Sequence, residues 1–269
     1  MSGAYGWRPN IADARDWDEQ KLGLPVAAPG DILHMIGLHT TLDQNASSSC
    51  TGHGVVQEMC VSLRAAYKRQ HPEVTKLELQ KLFPIGSPLA AYYFGRRQED
   101  PNAVKVQDVG AFPRLVKQAV SVMHVPKYGA WPTDLTKVNR KPSPTALIRG
   151  MRAKKATFYF FKGTGEARLA AIDAALAADK PVGFGTAVSD EMSGRSGEFV
   201  LDVPRGPISG LHYMCIIGMR VVNGQRQYAV VQSYGNGYGV DGIFWMTDNY
   251  IAWHMTSDVG CLSDLGESA

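Results

Sequence analysis

Four cysteines occur in 269 residues, Cys50, Cys60, Cys215 and Cys261, and none sits at Cys-x-x-Cys spacing. That excludes a zinc knuckle and a dense disulfide framework, and it suits a reducing compartment. No uninterrupted apolar run approaches the roughly 20 residues of a membrane-spanning helix. The N-terminal Met-Ser-Gly-Ala-Tyr-Gly-Trp-Arg-Pro has no apolar core of an export signal. A soluble, cytoplasmic protein without membrane contact is therefore expected. Charge of neither sign dominates: 28 Lys and Arg stand against 25 Asp and Glu, and the nearest approach to a basic cluster, Arg149 to Lys155, is short. No nucleic-acid partner is expected. His-Glu-x-x-His, Gly-x-x-x-x-Gly-Lys and Gly-x-Ser-x-Gly are all missing, so metalloprotease, nucleotide-binding and serine-hydrolase readings have no support and no cofactor or metal is expected.

What is present has two halves. Residues 1–43 read as an extended, proline-bearing lead-in. From Thr51 to Arg69, Val55, Val56, Met59, Cys60, Leu63, Ala66 and Tyr67 recur at the three-and-four spacing of a helix with one buried face, which places a helix start at Cys50. Further helices are expected over Glu73–Phe83, with Leu77, Leu79 and Leu82 as its apolar side, over Ser87–Arg97, Phe112–Val122, Thr145–Ala153 and Glu166–Asp179. Tyr128–Pro144, with three prolines, reads as loop. Phe158–Phe161 and, beyond Pro181, Val182–Val188, His212–Val222, Gln227–Ser233 and Gly242–Thr247 read as strands, with Asn223-Gly224 a strong hairpin signal.

The chemistry gathers at Cys50. A thiolate is stabilised by a helix N-terminus and by a protonated imidazole, one supplying a dipole and the other a cation. Cys50 has the first, and His212, opening an apolar strand far downstream, is the candidate for the second. His53 lies one helical turn from Cys50, too near to act as a freely oriented base, and packs or caps instead; His124 is the other histidine to weigh. Cys60, Cys215 and Cys261 read as packing.

Three segments in this order, Gln44-Asn-Ala-Ser-Ser-Ser-Cys50-Thr-Gly-His, Gly210-Leu-His212-Tyr-Met-Cys-Ile-Ile-Gly218 and Gln232-Ser-Tyr-Gly-Asn-Gly-Tyr-Gly-Val-Asp-Gly242, resemble the papain-like cysteine peptidases. Tyr5 to Asp16 looks like the mature start of bacterial and phage-type members without a propeptide, so no inhibitory pro-segment is expected. The resemblance implies an α+β, two-lobed fold in a single domain, 1–269. The helical lobe would lie mainly in 45–155, an antiparallel β-barrel-like lobe mainly in 1–44 and 156–269, and the cleft between them. It implies a cysteine endopeptidase in which Cys50 attacks, His212 shuttles the proton, Gln44 and the Cys50 amide bind the oxyanion, and Gln232 orients His212.

By the same resemblance Ser48, Gly110, Ala111, Tyr213 and Tyr234 contact substrate, with the Gly110 region pairing its backbone. The family's Asn-Ser-Trp-Gly is Gln232-Ser-Tyr-Gly here, and Gly-Ser-Cys-Trp is Ser48-Ser-Cys-Thr. Asparagine at 232 is thus expected to be tolerated, and bulk from Ser48 and Tyr213 to favour small side chains beside the scissile bond. The rival readings are a papain-fold binding or virion structural protein that has lost turnover, and a thioester transferase or ligase. The partner is a peptide or protein substrate, with an inhibitory or assembly partner as a further expectation.

Overall fold

Helix α1, Cys50–Gln70, is buried on nearly every side through its first four turns, from Cys50 through Ala65. Such a helix must run between other elements rather than over a surface. It ends at His71, where Pro72 cannot continue the hydrogen-bond ladder. The computed structural model describes residues 5–11, 13, 22–24, 26–27, 30–122, 125–148 and 157–263. His124, the basic run from Arg149 to Lys155 and the end of the helix expected to Ala153 lie outside these residues.

Helix α2, Lys76–Leu82, begins three residues later than the apolar pattern suggests. Thr75 accepts from the Glu78 N–H and Glu78 reaches back to the Thr75 N–H, a capping box that fixes the start. Of its three leucines only Leu79 is buried; Leu77 and Leu82 are 60% and 54% exposed, which corrects the expected apolar side. Helix α3, Pro88–Glu99, starts on a Ser87 cap with proline in its first turn. Helix α4, Pro113–Val122, packs closely on it, because a side chain at Gly95 would meet Val116 Cγ2 at 2.5 Å. Short 3-10 turns at Tyr128–Ala130 and Leu135–Lys137 interrupt the segment read as loop, and α5 is Pro144–Ile148.

The strands β1 (Thr157–Phe160), β2 (Val182–Ser189), β3 (Val200–Leu201), β4 (Ile208–Val222), β5 (Gln225–Val231), β6 (Ile243–Thr247) and β7 (Thr256–Ser263) form one sheet in the order β1-β7-β2-β4-β5-β6-β3. Helix α6, Gly165–Ala177, and α7, Asp248–Ala252, complete the set. Pairing is antiparallel except between β3 and β6. The expected α+β fold is present, and its seven-stranded sheet is not closed among the described residues, with β1 and β3 at its edges. Strands β3 and β7 are not foreseen by the sequence pattern. Asn223 and Gly224 turn β4 into β5 with φ of 51° and 78°, the paired positive values of a type I′ turn. Strand β4 begins at Ile208, so His212 is not its first residue but lies within it, opposite Thr186 of β2.

Two large apolar cores result among the described residues, with a small third one at Met59 and Leu262. One joins the sheet to α6 through residues such as Phe184, Ile216, Val230 and Phe244; the other gathers α1, α3 and α4 around Val56, Leu89, Tyr92 and Val116. Helix α1 contributes to both, with Val61 and Ala65 to the first and Cys50, Val55 and Cys60 to the second.

Between the cores lies a buried polar clamp. Glu58 of α1 accepts from Lys117 Nζ of α4 at 2.8 Å and from the Tyr213 hydroxyl of β4 at 2.8 Å, and none of the three side chains is more than 1% exposed. Burial pushes the Glu58 carboxyl up; the Lys117 ammonium and the Tyr213 hydroxyl oppose that. Removing one partner of such a pair strands a buried charge. Lys117→Met is expected to lower unfolding free energy in urea by about 3–5 kcal/mol, and adding Glu58→Gln should recover most of it; equal loss in single and double variants would show that the charge pair is not what matters.

Candidate active site

His212 is held from one side only. Its Nε2 lies 2.7 Å from Gln232 Oε1, while its Nδ1 is buried and has no hydrogen-bond partner. The Gln232 amide is oriented by its neighbours: Oε1 also accepts from the Ser233 N–H at 2.7 Å, and Nε2 faces the Met192 and Met214 sulfurs at 3.4 and 3.7 Å. Thioethers are weak acceptors, so the amide oxygen is the atom turned to the ring, and the imidazole carries its proton on Nε2. Nδ1 is left as the free base. Tyr234 lies over the ring at 5.4 Å and 34°, and Tyr5 meets it edge-on at 5.9 Å.

The other half comes from α1. Cys50 is fully buried at the helix N-terminus, and its sulfur faces the backbone N–H groups of Gly6 and of Tyr213, the residue after His212. Gln44 is drawn into the same seam: its N–H donates to the Ser233 carbonyl at 2.9 Å, and its Oε1 accepts from Ser233 Oγ at 2.5 Å. Its Nε2 donates to the Ser47 carbonyl at 2.8 Å. Gln44 and Gln232 are thus joined through Ser233, His212 is bonded to Gln232, and Cys50 lies against the backbone N–H of Tyr213, next to His212 in β4. His53 packs behind, with Nδ1 2.9 Å from the Ser49 carbonyl and Nε2 3.3 Å from Thr133 Oγ1.

The cleft itself is filled by the chain's own Tyr5-Gly6-Trp7-Arg8. Trp7 forms a parallel bridge with Ala111: the Ala111 N–H donates to the Gly6 carbonyl at 2.9 Å and the Arg8 N–H to the Ala111 carbonyl at 3.1 Å. On the sheet side the Trp7 N–H donates to the Leu211 carbonyl at 3.2 Å. Gly6 fits only without a side chain, since a Cβ there would lie 1.8 Å from the Ser48 carbonyl oxygen. Gly110, at φ 84°, lets the Gly6 carbonyl pass on the other side. Residues 5–8 thus lie along the Ala111 backbone edge, where the resemblance places substrate.

Two further expectations change. Tyr213 does not add bulk to the cleft; its ring turns behind β4 onto Gly54 and into the Glu58 clamp. At Ser48 the crowding atom is the backbone carbonyl, while its N–H is held by Asp108 at 3.0 Å. Gln232 reaches the His212 ring directly, with Oε1 2.7 Å from Nε2. Tyr5, Gly6 and Trp7 carry no local sequence signal that places them here.

In this buried arrangement both the Cys50 thiol and the His212 imidazole are neutral. Burial pushes the Cys50 thiol up to about 11, against the hydrogen bonds of the surrounding backbone, and the His212 imidazole down to about 4, against its bond to Gln232.

No protein-family model and no curated protein matches the chain by sequence. Solved structures do match it. Xylellain, a cysteine protease from Xylella fastidiosa, superposes with TM-score 0.67 at 22% identity, covering 97% of this chain and 96% of that one. Procathepsin B S9 from Trypanosoma congolense gives 0.65 at 12%, covering 96% and 85%. Procathepsin L 3 from the Tenebrio molitor larval midgut gives 0.61 at 13%, covering 97% and 75%. The chain has the papain-like fold.

The short Gln232–His212 bond generates a prediction opposite to the one the family pattern suggests. Gln232→Asn should fall short of the ring and behave like Gln232→Ala, slowing Cys50 alkylation in a chain also carrying Trp7→Ala, which exposes Cys50, by about ten- to a hundredfold, the worth of a hydrogen bond to a charged group. Gln232→Glu should instead raise the His212 pKa, read from its ring-proton NMR titration. An Asn variant as fast as wild type would remove Gln232 from the orienting role.

Proposed function

We propose that the chain is a cysteine peptidase whose cleft is held shut by its own residues 5–8. The observation that carries this reading is the His212 ring, pinned at Nε2 by Gln232 with Nδ1 buried and unpartnered, on the strand that faces the Cys50 helix start. In the open form Nδ1 takes the Cys50 proton, and the sulfur adds to a peptide carbonyl carbon. The oxyanion is stabilised by the Cys50 N–H and by Gln44 Nε2 freed from the Ser47 carbonyl. Nδ1–H then protonates the leaving amine as the C–N bond breaks, giving a thioester. Water, giving its proton to Nδ1, attacks the thioester and releases a carboxylic acid and the thiol. An amine in place of that water would make the same site a ligase.

The filled cleft favours a second reading, a papain-fold binding protein without turnover. Both readings predict a slow thiol in the wild type: with Cys50 near 11, the thiolate fraction at pH 7 is on the order of one in ten thousand, and alkylation should climb with pH toward that value. They part on opening the strap. In the full chain, Trp7→Ala should speed labelling by a peptide-based thiol probe at pH 7 at least about tenfold, should begin cleaving a peptide library, and should lose both properties with Cys50→Ser. A folded Trp7→Ala chain whose exposed Cys50 reacts no faster than free cysteine and cleaves nothing supports the binding protein and sinks the peptidase.

A further inference from the structure

Ser48, two residues before Cys50, is anchored by a side chain 60 residues further along the chain. Its N–H donates to both carboxylate oxygens of Asp108, at 3.0 and 3.1 Å. The same carboxylate receives a second donor: the Tyr92 hydroxyl gives its proton to Oδ1 at 2.7 Å and accepts, at 2.8 Å, from the Gly110 N–H. One carboxylate and one phenol oxygen therefore join the turn that leads to Cys50 and the backbone edge that leads to Ala111.

Tyr92 is itself fixed in place. It is fully buried in α3, and α1 packs so closely on it that a Cβ at Gly52 would lie 2.9 Å from the Tyr92 Cβ. The Arg96 guanidinium covers its ring at 3.7 Å and is held in turn by the carbonyls of Tyr92, Gln107 and Val138. The two N–H groups tied in this way belong to the two walls that close on Gly6. On one side a Cβ at Gly6 would meet the Ser48 carbonyl oxygen at 1.8 Å; on the other a Cβ at Gly110 would meet the Gly6 carbonyl oxygen at 2.4 Å. The space between the walls is the thickness of one bare backbone.

We propose that Asp108 and Tyr92 are positioning residues that fix the width of the cleft beside Cys50, and so decide how firmly a chain segment is held over the thiol. Hydrogen bonds to a carboxylate are of the strong kind, and because both donors share one carboxylate, losing either slackens the other. The segment held there is the strap of residues 5–8; the extension to a substrate rests on the peptidase reading.

Alkylation of Cys50 in the full chain needs no turnover and reads how often the strap leaves. Tyr92→Phe removes one oxygen and keeps the packing, and it should speed that alkylation about tenfold, the worth of a hydrogen bond to a charged group. Asp108→Ala should do the same. The double variant should be no faster than the faster single one, because the two residues act as a unit, and Asp108→Asn, which keeps an acceptor oxygen, should bring the rate back near wild type. Cys215 and Cys261, buried in the sheet, report any general loosening, and their labelling should not change. All three thiols quickening together, single effects that multiply in the double variant, or an Asn variant as fast as Ala overturns the proposal. So does a Tyr92→Phe rate equal to wild type, an arm that stands even where the Asp108 variants do not fold. In a chain also carrying Trp7→Ala, Tyr92→Phe should raise KM for peptide cleavage about tenfold and leave kcat within about twofold; the reverse split counts against the pair as a holder of substrate. No cleavage, with the alkylation pattern as expected, counts against the peptidase and supports the pair as the holder of the strap.

Discussion

Glu58 ties three elements that would otherwise have no common reference. It stands two turns along α1 from Cys50, and through Tyr213 it grips β4 at the residue adjacent to His212, while Lys117 brings in α4. Apolar packing alone would let a helix settle on a sheet with some freedom to slide. A pair of short bonds from one carboxylate gives that contact a register. The contact of α1 with β4 beside His212 is therefore held from behind, by the buried Glu58, Lys117 and Tyr213.

The site follows from that registration with little further machinery. Gln232 sits one strand over from His212, at the end of β5, and its two ends are sorted by unlike neighbours: a backbone N–H for the oxygen, two methionine sulfurs for the nitrogen. The same neighbourhood binds Gln44 to Ser233, so the segment before α1 and the segment after β5 are stitched together next to the nucleophile. Desolvation sets the protonation states, with both groups neutral while the cleft is full.

Much of this was legible in the residues because it is local. The α1 start at Cys50, the Asn223-Gly224 turn and the apolar runs of β2, β4 and β5 each announce themselves within a few positions, while Gln44, His212 and Gln232 were singled out by resemblance and not by local pattern. What stayed hidden depends on distant partners. Strand β7 carries Asp258 in a bulge, which breaks its alternation, so nothing nearby reads as a strand. The direction of Tyr213 is decided by Glu58, 155 residues away in sequence. The position of Trp7 is decided by Gly185, Leu211 and Asp258, none of them near it in sequence. An alternating or three-and-four pattern reports which side of an element is buried, and it is silent on what lies against it.

The strap of residues 5–8 belongs to the same molecule as the cleft it fills, and so it has no concentration of its own. A separate inhibitor can be diluted away, and its occupancy tracks how much of it is present. A tethered segment faces its groove at an effective concentration in the millimolar range or above, whatever the protein level. Dilution leaves such a molecule as closed as crowding does. Only an event that acts on the strap itself, a cut within it, a partner that seizes it, or a ligand that outcompetes it for the groove, alters the balance, and each molecule makes that change independently of the others.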